Sequence, residues 1–207
     1  MDAARSVQKR ELILERALEV FVAHGYVGTT TDQLAAAASV SKQTLYKEFG
    51  DKEGVFAALI RFACDRVDDP FAPLVDQMRN IDSADDAVAL MATQFSRSIM
   101  SPYVQQLRRL VIAEATRFPD LGQLYWEEGF LRVVNSVARC LSILDERGMM
   151  EIPEARLAAH HFAGLLLWIP SNQTMFAATM PLGEQELIET ITAGSQAFLR
   201  AYRVNAA

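Results

Sequence analysis

The stretch SVSKQTLYKEFGDKEGVF, residues 39–56, sets Lys42, Lys47 and Lys52 among small hydroxyls, an amide and a tyrosine, around the apolar residues Leu45 and Phe49. On a helix counted from Lys42 at about 100° per residue, Leu45 and Phe49 project together near about 320° and form the buried face. Lys47 lies opposite, near about 140°, with Gln43 near about 100° and Thr44 near about 200° beside it. Lys42 and Tyr46 occupy one flank and Glu48 the other. Gln43 matches the donor–acceptor pair of an adenine edge, and Lys47 reaches guanine acceptors. Thr44 offers a hydroxyl and a methyl, suited to phosphate or thymine. The Tyr46 hydroxyl and the Lys42 ammonium suit phosphate oxygens, which fix register without reading sequence. Lys52 sits in the first turn of the next helix, beside free backbone N–H groups that favour a phosphate, and Thr30 opens an earlier helix in the same way. Taken alone, these residues also fit a solvated polar face on a small helical bundle; the surrounding elements decide between the two.

Those elements are helical. Leu14, Ala17, Leu18 and Phe21 share one face of a first helix, Val7 to His24, which Gly25 should stop. Thr30 or Thr31 caps a short second helix with Asp32 in its first turn, Ser41 caps a third over Lys42 to Phe49, and Asp51 caps a fourth running to Asp68. Two short helices across a tight turn, braced by a preceding helix, make a helix-turn-helix. The sequence DDPFAP, residues 68–73, marks a boundary because a helix cannot run through it. Further helices are expected from Ser83 to Met100, from Pro102 to Phe118, from Leu121 to Arg147, from Pro153 with an interruption at Pro170, and from Glu184 to Tyr202.

The segments ILxxAxxxF, GYVGTTT, LAAAASVSKQTLYKEF and DKEGVF, between Ile13 and Phe56, resemble the TetR family of bacterial transcriptional regulators. The resemblance implies a dimeric DNA-binding protein whose C-terminal helical domain binds a small effector. It also implies that Lys42, Gln43, Thr44, Tyr46 and Lys52 contact DNA, with the Thr30 region against the backbone. Three residues depart from the family pattern. Ser39 stands where a turn glycine is usual, Gln43 replaces a residue that is often glycine, and Glu48 brings an anion toward the groove. A glycine-type left-handed position occupied by serine costs about 1–2 kcal/mol. Ser39 to Lys42 also matches the S-x-x-K of serine β-lactamases, but no S-D-N or K-T-G accompanies it.

The net charge of −6 over 207 residues runs against a nucleic-acid role for the chain as a whole. Residues 1–52, however, hold seven Lys or Arg and seven Asp or Glu, so the whole excess of acid lies beyond them. Acid held there weakens indiscriminate DNA binding without excluding a local reader.

Nothing in the C-terminal part forms a catalytic constellation, and no cofactor is expected. His160 and His161 are adjacent and point about 100° apart on a helix, so they cannot share a metal. Asp85 and Asp86 fit a helix N-terminus, and Cys64 and Cys140 fit buried reduced thiols. Large apolar residues are the main feature: the i,i+4 pairs Met91 with Phe95 and Trp126 with Phe130, together with Phe118, Tyr125, Phe162 and Trp168. Core packing accounts for any one of them. As a set they can line an effector pocket, with Arg109 or Glu114 as a polar anchor. The stretch RLVIAEATRFPDLGQLYWEEG, residues 109–129, resembles AefR-like C-terminal domains of the same family.

The last two helices are the expected dimer interface. ARLAAHHFAGLLLW is apolar on more than one face, and Leu187, Ile191, Gly194, Phe198 and Ala201 form a stripe wider than one core contact needs. The N-terminus has no signal-like apolar region and the longest apolar run, residues 162–170, is too short to span a bilayer, so a cytoplasmic protein without membrane contact is expected.

The expected fold class is therefore all-α, with a three-helix DNA-binding domain over 1–52, a connecting helix over 52–68 and an effector-binding and dimerisation domain over 69–207. The expected function is a homodimeric repressor, not an enzyme. It would read a pseudo-palindromic operator in duplex DNA and leave it when a small apolar or aromatic effector binds. The competing expectation is a ligand-binding or interaction protein that keeps this fold without binding DNA.

Overall fold

A computed structural model describes residues 2–66, 71–176 and 183–204. In chain order its helices are α1 (Asp2–Gly28), α2 (Thr31–Ala37), α3 (Lys42–Phe49), α4 (Lys52–Arg66), α5 (Ala72–Met78), α6 (Ala84–Ile99), α7 (Pro102–Glu114), α8 (Pro119–Leu124), α9 (Arg132–Glu146), α10 (Ala155–Phe176) and α11 (Glu184–Tyr202). A π-helical segment, Tyr125–Leu131, joins α8 to α9. Among the described residues the only β-type pairing is an isolated bridge between Met150 and Arg203. The protein is all-α, as its periodicity predicts.

Boundaries shift where local rules compete with packing. Gly25 is left-handed (φ 67°) and breaks α1, yet helical turns resume as far as Gly28. Thr30, rather than Thr31, caps α2. Helix α5 is not anticipated by the proline pattern. Pro73 lies in its first turn, where a missing N–H costs nothing, so this proline helps to open a helix. The remainder of the expected boundary, residues 68–70, and the last two residues of the expected connector lie outside the described residues. Pro170 does not interrupt α10, which continues to Phe176. Pro170 and Ser171 are buried and the Thr174 hydroxyl donates to Ser171 O at 2.8 Å, so packing outweighs the roughly 3 kcal/mol cost of an interior proline.

The chain divides into two compact units, residues 1–67 with 106–129, and residues 68–105 with 130–207. The first is built on Leu14, Leu18, Phe21, Leu34, Leu45, Phe56 and Leu59, all buried. Its aromatic centre stacks Phe21 on Tyr26 at 5.9 Å, and sets Phe118 edge-on to Tyr26 at 4.8 Å. The second gathers Met91, Phe95, Val137, Leu141, Phe162, Leu166 and Phe198. Phe162 meets Phe95 at 5.7 Å and Phe198 edge-on at 5.2 Å. Gly194 lets α11 approach α10 within this unit, because a Cβ there would stand 2.5 Å from the Leu165 carbonyl oxygen.

Candidate nucleic-acid interface

Helix α3, the expected reader, is held by features that the sequence specifies locally. The Ser41 side chain accepts from Thr44 N at 3.1 Å, which caps the helix and fixes where it starts. Leu45 is fully buried and anchors one face. Phe49 is half-buried, and the Arg10 guanidinium lies 4.8 Å over its ring. Gly50 ends the helix with φ 83°. The next helix starts very close by. Asp51 Oδ1 accepts from Gly54 N at 2.7 Å, and a Cβ on Gly54 would collide with the Phe49 carbonyl oxygen. Glycine is required there so that α4 can begin against the end of α3.

The turn before α3 carries the expected strain. Ser39 has φ 53° and is the only non-glycine with positive φ among the described residues. Ser39 N and Val40 N close the end of α2 onto the carbonyls of Ala36 and Ala35, each at 3.0 Å. At the other end of α2, Thr30 makes a full capping box. Its hydroxyl accepts from Gln33 N at 3.2 Å, and the Gln33 amide oxygen accepts from Thr30 N at 2.8 Å.

Of the predicted contact residues, Gln43, Tyr46 and Lys47 are exposed and make no side-chain hydrogen bond within the described residues, on the side away from Leu45. Thr44 is half-buried, with its hydroxyl 2.9 Å from that of Ser41. The other two cations are engaged. Lys42 Nζ lies 2.9 and 3.1 Å from the two carboxylate oxygens of Asp32, and this hydrogen bond raises the lysine above its ordinary pKa. Lys52 Nζ donates to the carbonyls of Tyr26 and Thr29, both at 2.8 Å, with Val27 O at 3.4 Å, and sits 4.5 Å over the Tyr26 ring. Lys52 thus ties the start of α4 to the end of α1, where a cation is favoured. Burial, with Glu53 nearby, raises the Tyr26 phenol, and Arg117, 4.9 Å over the same ring, opposes this. Glu48 is exposed and borders a cleft of about 450 Å³ shared with Val7, Arg10, Glu11 and Arg61.

Two of these partners escape sequence reasoning. Asp32 is visible as a first-turn acid, but its pairing with Lys42 spans ten residues and two helices. The Lys52 carbonyl cradle joins the start of α4 to a chain segment 26 residues earlier, and no local side-chain pattern records that contact.

The residues expected to line an effector pocket divide between the two units. Met91, Phe95 and Phe162 come together in the second unit's core, with Phe130 half-buried against it. Arg109, Glu114, Phe118, Tyr125 and Trp126 fall in the first unit, where Phe118 and Tyr125 pack on the core and Trp126 is exposed. Trp168 is 68% exposed on α10 and joins neither core. Among the described residues no cluster of His, Cys, Asp or Glu has metal-binding geometry, and no helix is long and apolar enough to cross a membrane.

Residues 13–59 match the family described as bacterial regulatory proteins, tetR family, and residues 87–204 match AefR-like transcriptional repressor, C-terminal domain. The transcriptional repressor AcnR of Corynebacterium efficiens is 42% identical over 57 residues, which cover 28% of this chain and 30% of that protein. The solved structure of a TetR-family transcriptional regulator from Mesorhizobium loti MAFF303099 superposes with a TM-score of 0.89 at 34% identity, covering 97% of this chain and 99% of that one. The flavonoid-responsive regulator FrrA superposes with a TM-score of 0.69 at 25% identity, covering 96% and 99%. With an N-terminal helix-turn-helix match, a second match over more than half of its length and a near-complete structural overlap, this chain belongs to the TetR family of transcriptional regulators, with an AefR-like C-terminal domain.

Proposed function

We propose that the protein is a homodimeric repressor that reads a pseudo-palindromic operator through α3 and releases it when a small apolar or aromatic effector binds. The observation that carries the DNA-reading part is the division of α3. Leu45 is buried, while Gln43, Tyr46 and Lys47 are exposed and free to meet a groove. Gln43 and Lys47 read base edges. Lys42, Thr44, Tyr46, Lys52 and the Thr30 cap position the helix on phosphates. Homodimerisation is supported by α10 and α11, which expose Leu157, Leu165, Trp168, Ile169, Phe176 and Ile188 after their own core is complete. A symmetric pair of such faces gives two readers and hence two half-sites.

The effector is assigned to the second unit, among Met91, Phe95, Phe130 and Phe162, where flexible sulfur and aromatic rings adapt to an apolar guest. The flavonoid response of FrrA supports a planar aromatic compound as the class to try first. Release then follows if the effector binds more tightly to a dimer whose readers are wrongly spaced, since a ligand shifts the equilibrium only by its differential affinity. With operator DNA as its partner, the protein is assigned to the cytoplasm.

A gel-shift titration on the DNA upstream of its own gene, with and without a panel of aromatic compounds, tests this reading. Saturable binding that one compound class reverses is the expected result. Gln43→Ala and Lys47→Ala should relax preference at single operator positions, whereas Tyr46→Phe should weaken binding to every sequence alike. The internal engagement of Lys42 and Lys52 favours the second reading, a family member that keeps the fold without binding DNA. That reading requires salt-insensitive, negligible binding to all duplexes.

A further inference from the structure

The pairing of Lys42 with Asp32 falls on the surface that carries the reader, and the DNA-binding reading alone does not require it. Asp32 stands in the first turn of α2, which the Thr30–Gln33 capping box pins, so its carboxylate is presented from a fixed backbone. Lys42 is the first residue of α3, a helix with no acidic residue in its first turn. A cation at that end opposes the helix dipole, and Asp32 is the anion that offsets it. Both side chains are exposed, at 47% for Lys42 and 73% for Asp32, so duplex DNA can reach them.

We infer that Asp32 is a built-in competitor for phosphate: it occupies the Lys42 ammonium in the free protein and lowers the affinity for duplex DNA by the strength of that ion pair. For Lys42 to reach a backbone phosphate it must first leave a carboxylate 2.9 Å away. The resting protein therefore presents fewer free cations to random DNA than its sequence counts. This inference rests on the DNA-binding reading and adds to it a residue that sets affinity, though it touches neither base nor phosphate.

A double-mutant cycle separates the competitor from a carboxylate that merely repels DNA. Wild type, Asp32→Asn, Lys42→Ala and the double variant, each checked for unchanged helicity and melting, are titrated by anisotropy against a labelled random-sequence 30-bp duplex over a salt series. Asp32→Asn should tighten binding about two- to fivefold, the range that an exposed ion pair supports. With Lys42 replaced by alanine, Asp32→Asn should recover less than half of that gain. A gain that is equal or larger in the Lys42→Ala background means that Asp32 acts by simple repulsion, and it overturns the inference. So does an unchanged affinity of Asp32→Asn while the wild type binds with normal salt dependence. If no variant binds the duplex with a salt-dependent affinity, the DNA-binding reading falls and the competitor falls with it.

Discussion

Helices α3 and α10 both present large side chains to solvent, and they do so for different physical reasons. In α3 the division is simple: Leu45 is buried, Thr44 and Phe49 half so, and the other polar residues face out. An eight-residue helix over a small core has one buried face, and its 3.6-residue period states which one. Helix α10 is apolar almost all round. It buries Phe162, Leu166 and Leu167 yet exposes Leu165, Trp168 and Ile169. Periodicity cannot tell a second buried face from a first, so the separation of buried from exposed apolar residues has to come from the packing itself.

The comparison breaks most sharply on Phe162 and Trp168, two aromatics six positions apart. Phe162→Ala should cost about 3–5 kcal/mol in chemical unfolding, because a fully buried ring leaves a cavity between α6, α10 and α11. Trp168→Ala should leave the melting of the individual fold nearly unchanged and instead weaken self-association by tenfold or more, about 1.4 kcal/mol or greater, as measured by sedimentation. A large loss of fold stability with no change in association would assign Trp168 to a core.

On the reader side, Leu45→Ala should destabilise the first unit by about 2–5 kcal/mol and abolish DNA binding, through loss of the anchor rather than of a contact. Lys52→Ala should lose about 1–2 kcal/mol of stability, since charge-assisted bonds to two well-placed carbonyls disappear from a partly exposed site. It should also weaken binding to all DNA sequences. Affinity that stays constant while stability falls would make Lys52 a structural clamp alone. The smallest expected effect has the opposite sign. Ser39→Gly should raise stability by about 0.5–1 kcal/mol, because relief of the left-handed strain exceeds the added chain entropy. A clear drop in melting temperature would count against that account.

Much of the fold was readable because its signals are local. Ser41, Asp51 and Ser83 cap α3, α4 and α6 where the sequence places those starts. Ser39 adopts the left-handed turn that its position in the motif requires. Prolines carry a weaker signal. Pro170 reads as a helix break and is carried inside one, while Pro73 reads as part of a boundary and lies in the first turn of a helix. At Pro170 packing outweighs the penalty that makes proline a stop, and at Pro73 the first turn avoids it. The effector candidates carry the weakest local signal. Met91 and Phe118 look alike as apolar residues on helices, yet the chain path puts them in different units.

The sequence by itself determined the helical periods, the caps of α3, α4 and α6, the outward residues of α3 and the absence of net charge over residues 1–52. Each depends on neighbours within about one helical turn, or on a count that needs no coordinates. Only the tertiary structure decided that Lys42 is held by Asp32, that Lys52 grips the end of α1, that residues 106–129 pack with the N-terminal helices, and that Trp168 faces out while Phe162 faces in. These contacts join residues from different helices, and a one-dimensional pattern holds no information about how separate helices are rotated toward each other.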